Sequence, residues 1–266
     1  MNTTTQFMTE DQLKEFPILF QEENTRSRKY SHIKTIDQVN KIIEMDWKPV
    51  AVKQQNSKKF KGFQPHIVLF ENEKISSLFK KEGVSPQILL VNSYNGLKSF
   101  NVHFGLFRLV CSNGLVVGES VLEQVKMLHK GLNEEHTDLN KTIEFYVNQI
   151  PVVMEKVDAM KSTQLTHIDK LDIAGKAIEL RYLNSEHYPF NSEELLITRR
   201  PEDEGNDLWR TYNKIQENLV KGGQLLEFKP EEGKRRKTST RPLKDINRDL
   251  LLNKALFDMA VRYCKK

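Results

Sequence analysis

Seven histidines, two cysteines and 36 acidic residues give this 266-residue chain material for catalysis or metal binding, but their spacing assembles no known site. The histidines His32, His66, His103, His129, His136, His167 and His187 are scattered. His129 and His136 would lie two helical turns apart on a continuous helix, too far for one tetrahedral metal. Glu134, Glu135, Asp138 and Glu144 fall on the polar side of a helical pattern, where a solvated face accounts for them. Glu202-Asp203-Glu204 beside Arg199-Arg200 would need further carboxylates for a two-metal nuclease, and charge at a helix N-terminus is the simpler account. Ser112 has no neighbouring base, and the glycines Gly114, Gly222 and Gly223 form no Walker or dinucleotide-binding loop. No catalytic residue, metal or cofactor is therefore expected. An enzyme stays open, but nothing in the pattern asks for one.

Binding chemistry is better represented. From Leu225 to Lys266 the chain holds 12 Lys and Arg against 6 Asp and Glu, so this tail carries +6 of a total of +5 and the rest sums to about −1. Its densest part, residues 233–241, mixes Lys234, Arg235, Arg236, Lys237 and Arg241 with Thr and Ser, the usual phosphate-contacting set. A solvated surface loop is the alternative. Lys53, Lys58, Lys59 and Lys61 decorate a first hairpin with Phe60 and Phe63 interleaved, a composition suited to single-stranded nucleic acid, since every base offers a π-face. Hairpin lysines also guard against edge pairing. Arg108 sits in an apolar strand on the side of Leu106 and Val110, as either a core-edge ion pair or the floor of a basic groove. Arg199, Arg200, Asn213, Gln216 and Asn218 form a polar set beside Gly222-Gly223 that is either structural or site-forming, while Trp209, Tyr212, Ile215 and Leu219 read as core.

The composition, 38% hydrophobic and 29% charged, is that of a folded water-soluble protein. No apolar run approaches the ~18 residues of a membrane helix. The N-terminal residues show neither a basic n-region nor an apolar h-region, so no secretory signal is expected. Cys111 and Cys264 cannot make a disulfide framework, and the expected compartment is a reducing cytoplasm.

The elements that must position these residues begin with an N-terminal arm, 1–29, expected to be flexible. A helix follows from Thr35 to about Met45, then strands at 50–54 and 66–70 around the basic turn. A short helix at 74–81 precedes strands at 88–91 and 100–110. Asn113-Gly114 between β-branched runs is the strongest short hairpin signal, because both central residues of a type I′ turn need positive φ. Strands are expected at 115–117 and near Val121–His129, then a break at 130–133 and a helix from Glu134 to about Met160 that tolerates Pro151; the alternative is one continuous helix over 121–160. Helices at 166–182, 192–198, 203–221 and 245–263 complete the chain. The fold class is α+β: an antiparallel sheet built from hairpins, preceded by one helix and followed by a helical C-terminal half. The expected organisation is an arm at 1–29, an α+β core at 30–161 and a helical region at 162–266.

The chain resembles an uncharacterised family of phage and plasmid proteins built on a domain of unknown function. The resemblance runs from Tyr30 to the end. It is carried by Tyr30-Ser31-His32-Ile33-x-Thr35, Trp47-x-Pro49-Val50, His66, Val91-Asn92-Ser93-Tyr94-Asn95-Gly96 and Phe107 to Leu115. It continues through His129-x-Gly131, Arg199-Arg200-x-x-Asp203, Leu208-Trp209-x-x-Tyr212-Asn213-x-x-Gln216-Glu217-Asn218, Gly222-Gly223, Thr240-Arg241 and Leu252-Asn253-x-x-Leu256. It implies a mobile-element origin and no mechanism. The order of helix, hairpin, further strands and long helix is also similar to phage single-strand annealing proteins, an analogy at fold level alone. The expectation is a non-enzymatic nucleic-acid-binding protein of phage or mobile-element replication or recombination, with single-stranded DNA favoured and annealing as its task. A homo-oligomer is allowed and no membrane is involved. The alternatives are a protein that binds and inhibits a host defence component, and a metal-dependent nuclease.

Overall fold

The structure, a computed structural model, describes residues 6–21, 32–55, 61–79, 85–95, 100–109, 116–127, 139–182, 191–228 and 236–264. It is α+β. The chain divides into two compact units, residues 1–107 with 121–149 and residues 108–120 with 150–266. The division falls inside the helix that spans Leu139–Ser162.

The first unit is organised by a five-stranded sheet in chain order: β1 (Lys48–Gln54), β2 (His66–Glu71), β3 (Ser85–Asn92), β4 (Phe100–Leu109) and β5 (Val116–Met127). The pairs β1/β2, β2/β3 and β3/β4 are antiparallel, and an irregularity between Pro49 and Ala51 shifts the first register. On one face, Val52, Val68, Leu90 and Val102 form a cross-strand row beside a second row of Phe70, Ile88 and Phe104. All are buried. Helix α2 (Thr35–Ile43), with Val39 and Ile42 buried, leads into Trp47 through Asp46 at φ 65°. Tyr146 of α4 (Leu139–Ser162) covers this face, its ring 4.9 Å from that of Phe104 and 6.1 Å from that of Trp47. Its hydroxyl donates to the Gly105 carbonyl at 2.8 Å.

Several expectations need correction here. The described part of the N-terminal arm is built rather than loose. Helix α1 (Glu10–Lys14) is closed by a Thr9–Gln12 capping box, a 3-10 turn follows at Pro17–Phe20, and Leu13, Ile18 and Leu19 are buried. Met8 N donates to the Pro49 carbonyl at 2.8 Å, at the edge strand. The two strands expected at 115–117 and 121–129 are one strand, β5, which runs through Gly118. Helix α3 (Glu73–Phe79) matches the expected short helix. The Asn113-Gly114 turn, the 130–133 break and the first residues of the expected 134–160 helix lie outside the described residues.

In the second unit, helices α5 (His167–Arg181), α6 (Leu208–Lys221) and α7 (Ile246–Tyr263) pack around α6. Trp209 stacks on Tyr212 with ring centroids 5.6 Å apart, and Tyr212 meets Phe257 of α7 edge-on at 6.0 Å. Two helix limits differ from the sequence reading. Residues Ser192–Leu196 form a 3-10 turn, not an α-helix. Helix α6 starts at Leu208 rather than at 203, because Gly205 takes φ 151° and Asp207 caps the helix by accepting from Arg210 N at 2.9 Å. A third difference matters more. The C-terminal half is not all helix: β6 (Leu225–Phe228) pairs antiparallel with β7 (Arg236–Ser239), which lies within the expected basic loop. Four residue pairs with no apolar alternation leave little for a sequence pattern to detect.

The Tyr146→Phe variant keeps the ring contacts and leaves the Gly105 carbonyl without its side-chain donor. A loss of about 1–3 kcal/mol is expected in denaturant unfolding of the first unit, whereas an unchanged midpoint would show that this hydroxyl contributes nothing.

Candidate functional site

The second unit brings most of the expected polar residues to one place, the C-terminal end of α6 and the base of the β6–β7 ribbon. Gly222 closes the helix at φ 67°, and a Cβ there would lie 2.6 Å from the Thr240 carbonyl oxygen, so only glycine fits. Arg199 Nε donates to Asn218 Oδ1 at 2.5 Å and its Nη2 to the Gly222 carbonyl at 2.6 Å. Asn218 gives its amide protons to the carbonyls of Leu195 and Ile197 at 3.0 and 2.8 Å. Gln224 Nε2 donates to the Asn218 carbonyl at 2.8 Å, and Thr240 Oγ1 donates to Gln224 Oε1 at 2.5 Å. Backbone bonds Gly223 N to Thr240 O and Thr240 N to Gln224 O, each 2.9 Å, complete the junction. Arg181 Nη2 holds the Arg241 carbonyl at 2.6 Å.

One turn away, Arg200 Nε donates to Glu217 Oε2 at 2.9 Å and Nη2 to Asp203 Oδ2 at 2.7 Å, while Lys221 Nζ reaches Glu217 Oε1 at 2.5 Å. Glu217 and Asp203 are buried. Their carboxylates are thus held by cations, which is not the arrangement of a metal cluster, and among the described residues no group of three metal-ligating side chains occurs.

The expected polar set is therefore brought together, and Arg199, Arg200 and Asn218 are spent on internal bonds. Asn213 is buried with Oδ1 unpartnered, and Gln216 is fully buried. The expected nucleic-acid residues fall in two groups. In the first unit Lys53 is half-buried on the edge strand, Lys61 is exposed and Phe63 is half-buried with its carbonyl accepting from Tyr94 N at 3.2 Å. Lys58, Lys59 and Phe60 lie outside the described residues. Arg108 lies on β4. In the second unit Arg236 and Lys237 are on β7, Arg241 is exposed just beyond it, and Lys234 and Arg235 lie outside the described residues.

A second constellation, in the first unit, escaped the functional reading. His66 Nδ1 is 3.0 Å from the Gln64 carbonyl, which can only accept, so Nδ1 carries the proton and Nε2 accepts. Thr35 Oγ1, 2.8 Å away, then donates to Nε2. Its two acceptor positions take the Tyr94 hydroxyl at 2.6 Å and Asn92 Nδ2 at 2.9 Å, and Thr35 N donates to Tyr94 Oη at 2.8 Å. His32 lies over Tyr94 with ring centroids 4.7 Å apart. The signal was present: His32, Thr35, His66, Asn92 and Tyr94 all belong to the residues that carry the family resemblance. Thr35, His66, Asn92 and Tyr94 are buried and bonded to one another, so they lock the start of α2 onto the sheet, while His32 is half-buried with Nδ1 unpartnered. Burial holds His66 at a pKa of about 4. His103, buried on β4 with neither ring nitrogen partnered, is lowered to about 4 for the same reason. In the second unit burial raises the Asp249 carboxyl to about 8, against the opposing hydrogen bond from Asn253.

These shifts give the units opposite responses to pH. Between pH 6.5 and about 4 the unfolded chain binds protons at His66 and His103 that the folded first unit refuses. The contribution of these histidines to first-unit stability is therefore full above 6.5 and falls as pH drops, by up to about 1.4 kcal/mol per pH unit for each. Asp249 is protonated when folded and ionised when unfolded between pH 3.8 and about 8, so its contribution to second-unit stability is full below 3.8 and is lost as pH rises through that window. Each unit has one tryptophan, Trp47 or Trp209. Trp209→Phe and Trp47→Phe variants therefore report the units separately by fluorescence-detected unfolding; Asp249→Asn is expected to remove the loss between pH 3.8 and about 8 from the second unit, and an unchanged slope in that variant would refute the assignment.

Comparison with known proteins places the chain. A family model described as Domain of unknown function (DUF932) matches residues 24–257. The UPF0380 protein YfjQ of Escherichia coli (strain K12) is 33% identical over 258 residues, covering 94% of this chain and 89% of the relative. The UPF0380 protein YafZ of the same organism is 33% identical over 261 residues, with the same coverage of 94% and 89%. No solved structure matches the chain.

Proposed function

We propose, from the premise that the chain belongs to the DUF932 family, that it is a non-enzymatic nucleic-acid-binding protein of phage or mobile-element replication or recombination. The observation that carries this reading is the placement of the cations. Arg236 and Lys237, from the segment with the highest density of Lys and Arg, lie on one strand of a two-stranded ribbon tied at its base to α6. Phosphate contacts demand several cations held close together, and each one neutralised releases counterions. An antiparallel ribbon is also an element that fits a nucleic-acid groove. The hairpin between β1 and β2, with exposed Lys61, supplies a second cationic element. Strand annealing is the finer form of the proposal, in which single-stranded DNA is the preferred ligand.

Fluorescence anisotropy against labelled single-stranded and double-stranded oligonucleotides tests the reading, with Lys234, Arg235, Arg236 and Lys237 changed together to alanine. The wild type is expected to bind with an affinity that falls steeply as salt rises. The fourfold variant is expected to lose roughly 0.7–0.9 of the log–log salt slope for each phosphate contact removed. Preference for the single strand favours annealing. No binding at about 50 mM salt sinks the proposal.

A further inference from the structure

A ribbon of four residue pairs is marginal on its own, yet this one is cross-tied at its base. Arg199 is the keystone of that junction. Its two donors reach the side chain of Asn218 and the carbonyl of Gly222, joining the helix to the turn that launches β6. Gln224 and Thr240 close the ribbon against the same turn through Oε1, Oγ1 and the backbone. The Arg199 side chain is exposed, but its guanidinium donates to two neutral acceptors, so its use here is geometric. Lysine has the same charge but no planar fork to satisfy both acceptors at once. A binding arm already fixed in direction loses less freedom on association than one that swings.

We propose that Arg199 is a positioning residue, which with Gln224 and Thr240 aims the cationic β6–β7 ribbon at its polyanionic ligand without touching that ligand. This rests on the nucleic-acid reading above and adds to it how the ribbon is held ready. The test uses Arg199→Lys, which keeps the charge, and Thr240→Val, which changes no charge and keeps the side-chain shape. Three quantities are read in the full chain: affinity for the labelled oligonucleotide, the slope of affinity against salt, and the rate of tryptic cleavage within residues 229–241. Trp209 fluorescence checks that each variant is folded.

Both variants are expected to bind about tenfold more weakly, with the salt slope unchanged because the number of neutralised phosphates is the same. Tryptic cleavage in the ribbon should accelerate. Wild-type affinity in both folded variants overturns the proposal and leaves the nucleic-acid reading standing. Loss confined to Arg199→Lys, with Thr240→Val binding as the wild type does, also overturns it, since the guanidinium would then be a direct contact. A wild type that binds no oligonucleotide overturns the reading and the proposal together. In that case faster cleavage in the variants would show only that the junction holds the ribbon.

Discussion

A buried helix that carries charged and amide side chains has to find partners for most of them, and in the second unit that requirement organises the segments around α6. Thr211, Asn213, Lys214, Gln216, Glu217 and Asn218 are all buried. An unpaired charge in such a place costs several kcal/mol. Glu217 is therefore bracketed by Arg200 and Lys221, and Lys214 donates to the Gly205 carbonyl at 3.1 Å. Asn218 uses its whole amide on three partners. These bonds fix segments that have no regular structure of their own. The 195–200 stretch, the acidic turn at 203–207 and the glycine turn at 222–223 take their positions from α6, and the ribbon takes its position from the glycine turn.

The first unit solves the same problem with a neutral network. Thr35 has one proton to give and two acceptor positions, and His66, Tyr94 and Asn92 use all three. The histidine tautomer follows from a single carbonyl, that of Gln64, and with it the direction of every other bond in the cluster. Because these bonds close on Thr35, the first residue of α2, the start of β2 and the turn after β3 are held in one register. The apolar face then needs only to be filled, which Trp47, Phe104 and Tyr146 do. In both units the apolar core supplies most of the burial, while a few side chain to backbone bonds decide which segments meet.

That division explains what could be read from the sequence. Helix α2, strands β1 to β4 and the last three α-helices have apolar periods or caps long enough to recognise, and Asp207, Thr166 and Asp245 cap as their types suggest. The short elements were less legible. The ribbon is four pairs long, and its segment reads as a loop because Lys, Arg, Thr and Ser do not alternate. The 3-10 turn at 192–196 has a helical composition but is stopped after a single turn. The polar set Arg199, Arg200, Asn213, Gln216 and Asn218 was found by its residue types. Its role was not, because an amide that recognises a ligand and an amide that holds a carbonyl look the same in sequence. Only the partners of Asn218 distinguish them. The Thr35 cluster was legible as scattered motif residues, but no spacing rule joins positions 35, 66, 92 and 94 before the strands are paired.

The ribbon also changes what the tail's charge can do. At physiological ionic strength charges act together over about 8 Å, so an excess of +6 spread along a loose chain is a weak local field. Strand geometry places neighbouring residues about 3.4 Å apart and paired residues about 5 Å apart, within one screening length. The register also sets a limit, since Glu227 stands opposite Lys237 and Leu225 opposite Ser239. Arg236, by contrast, stands opposite Phe228 in the register. A field built this way belongs to a geometry more than to a composition. The junction at Arg199, Gln224 and Thr240 adds no charge to β6 or β7; what it sets is where the ribbon starts.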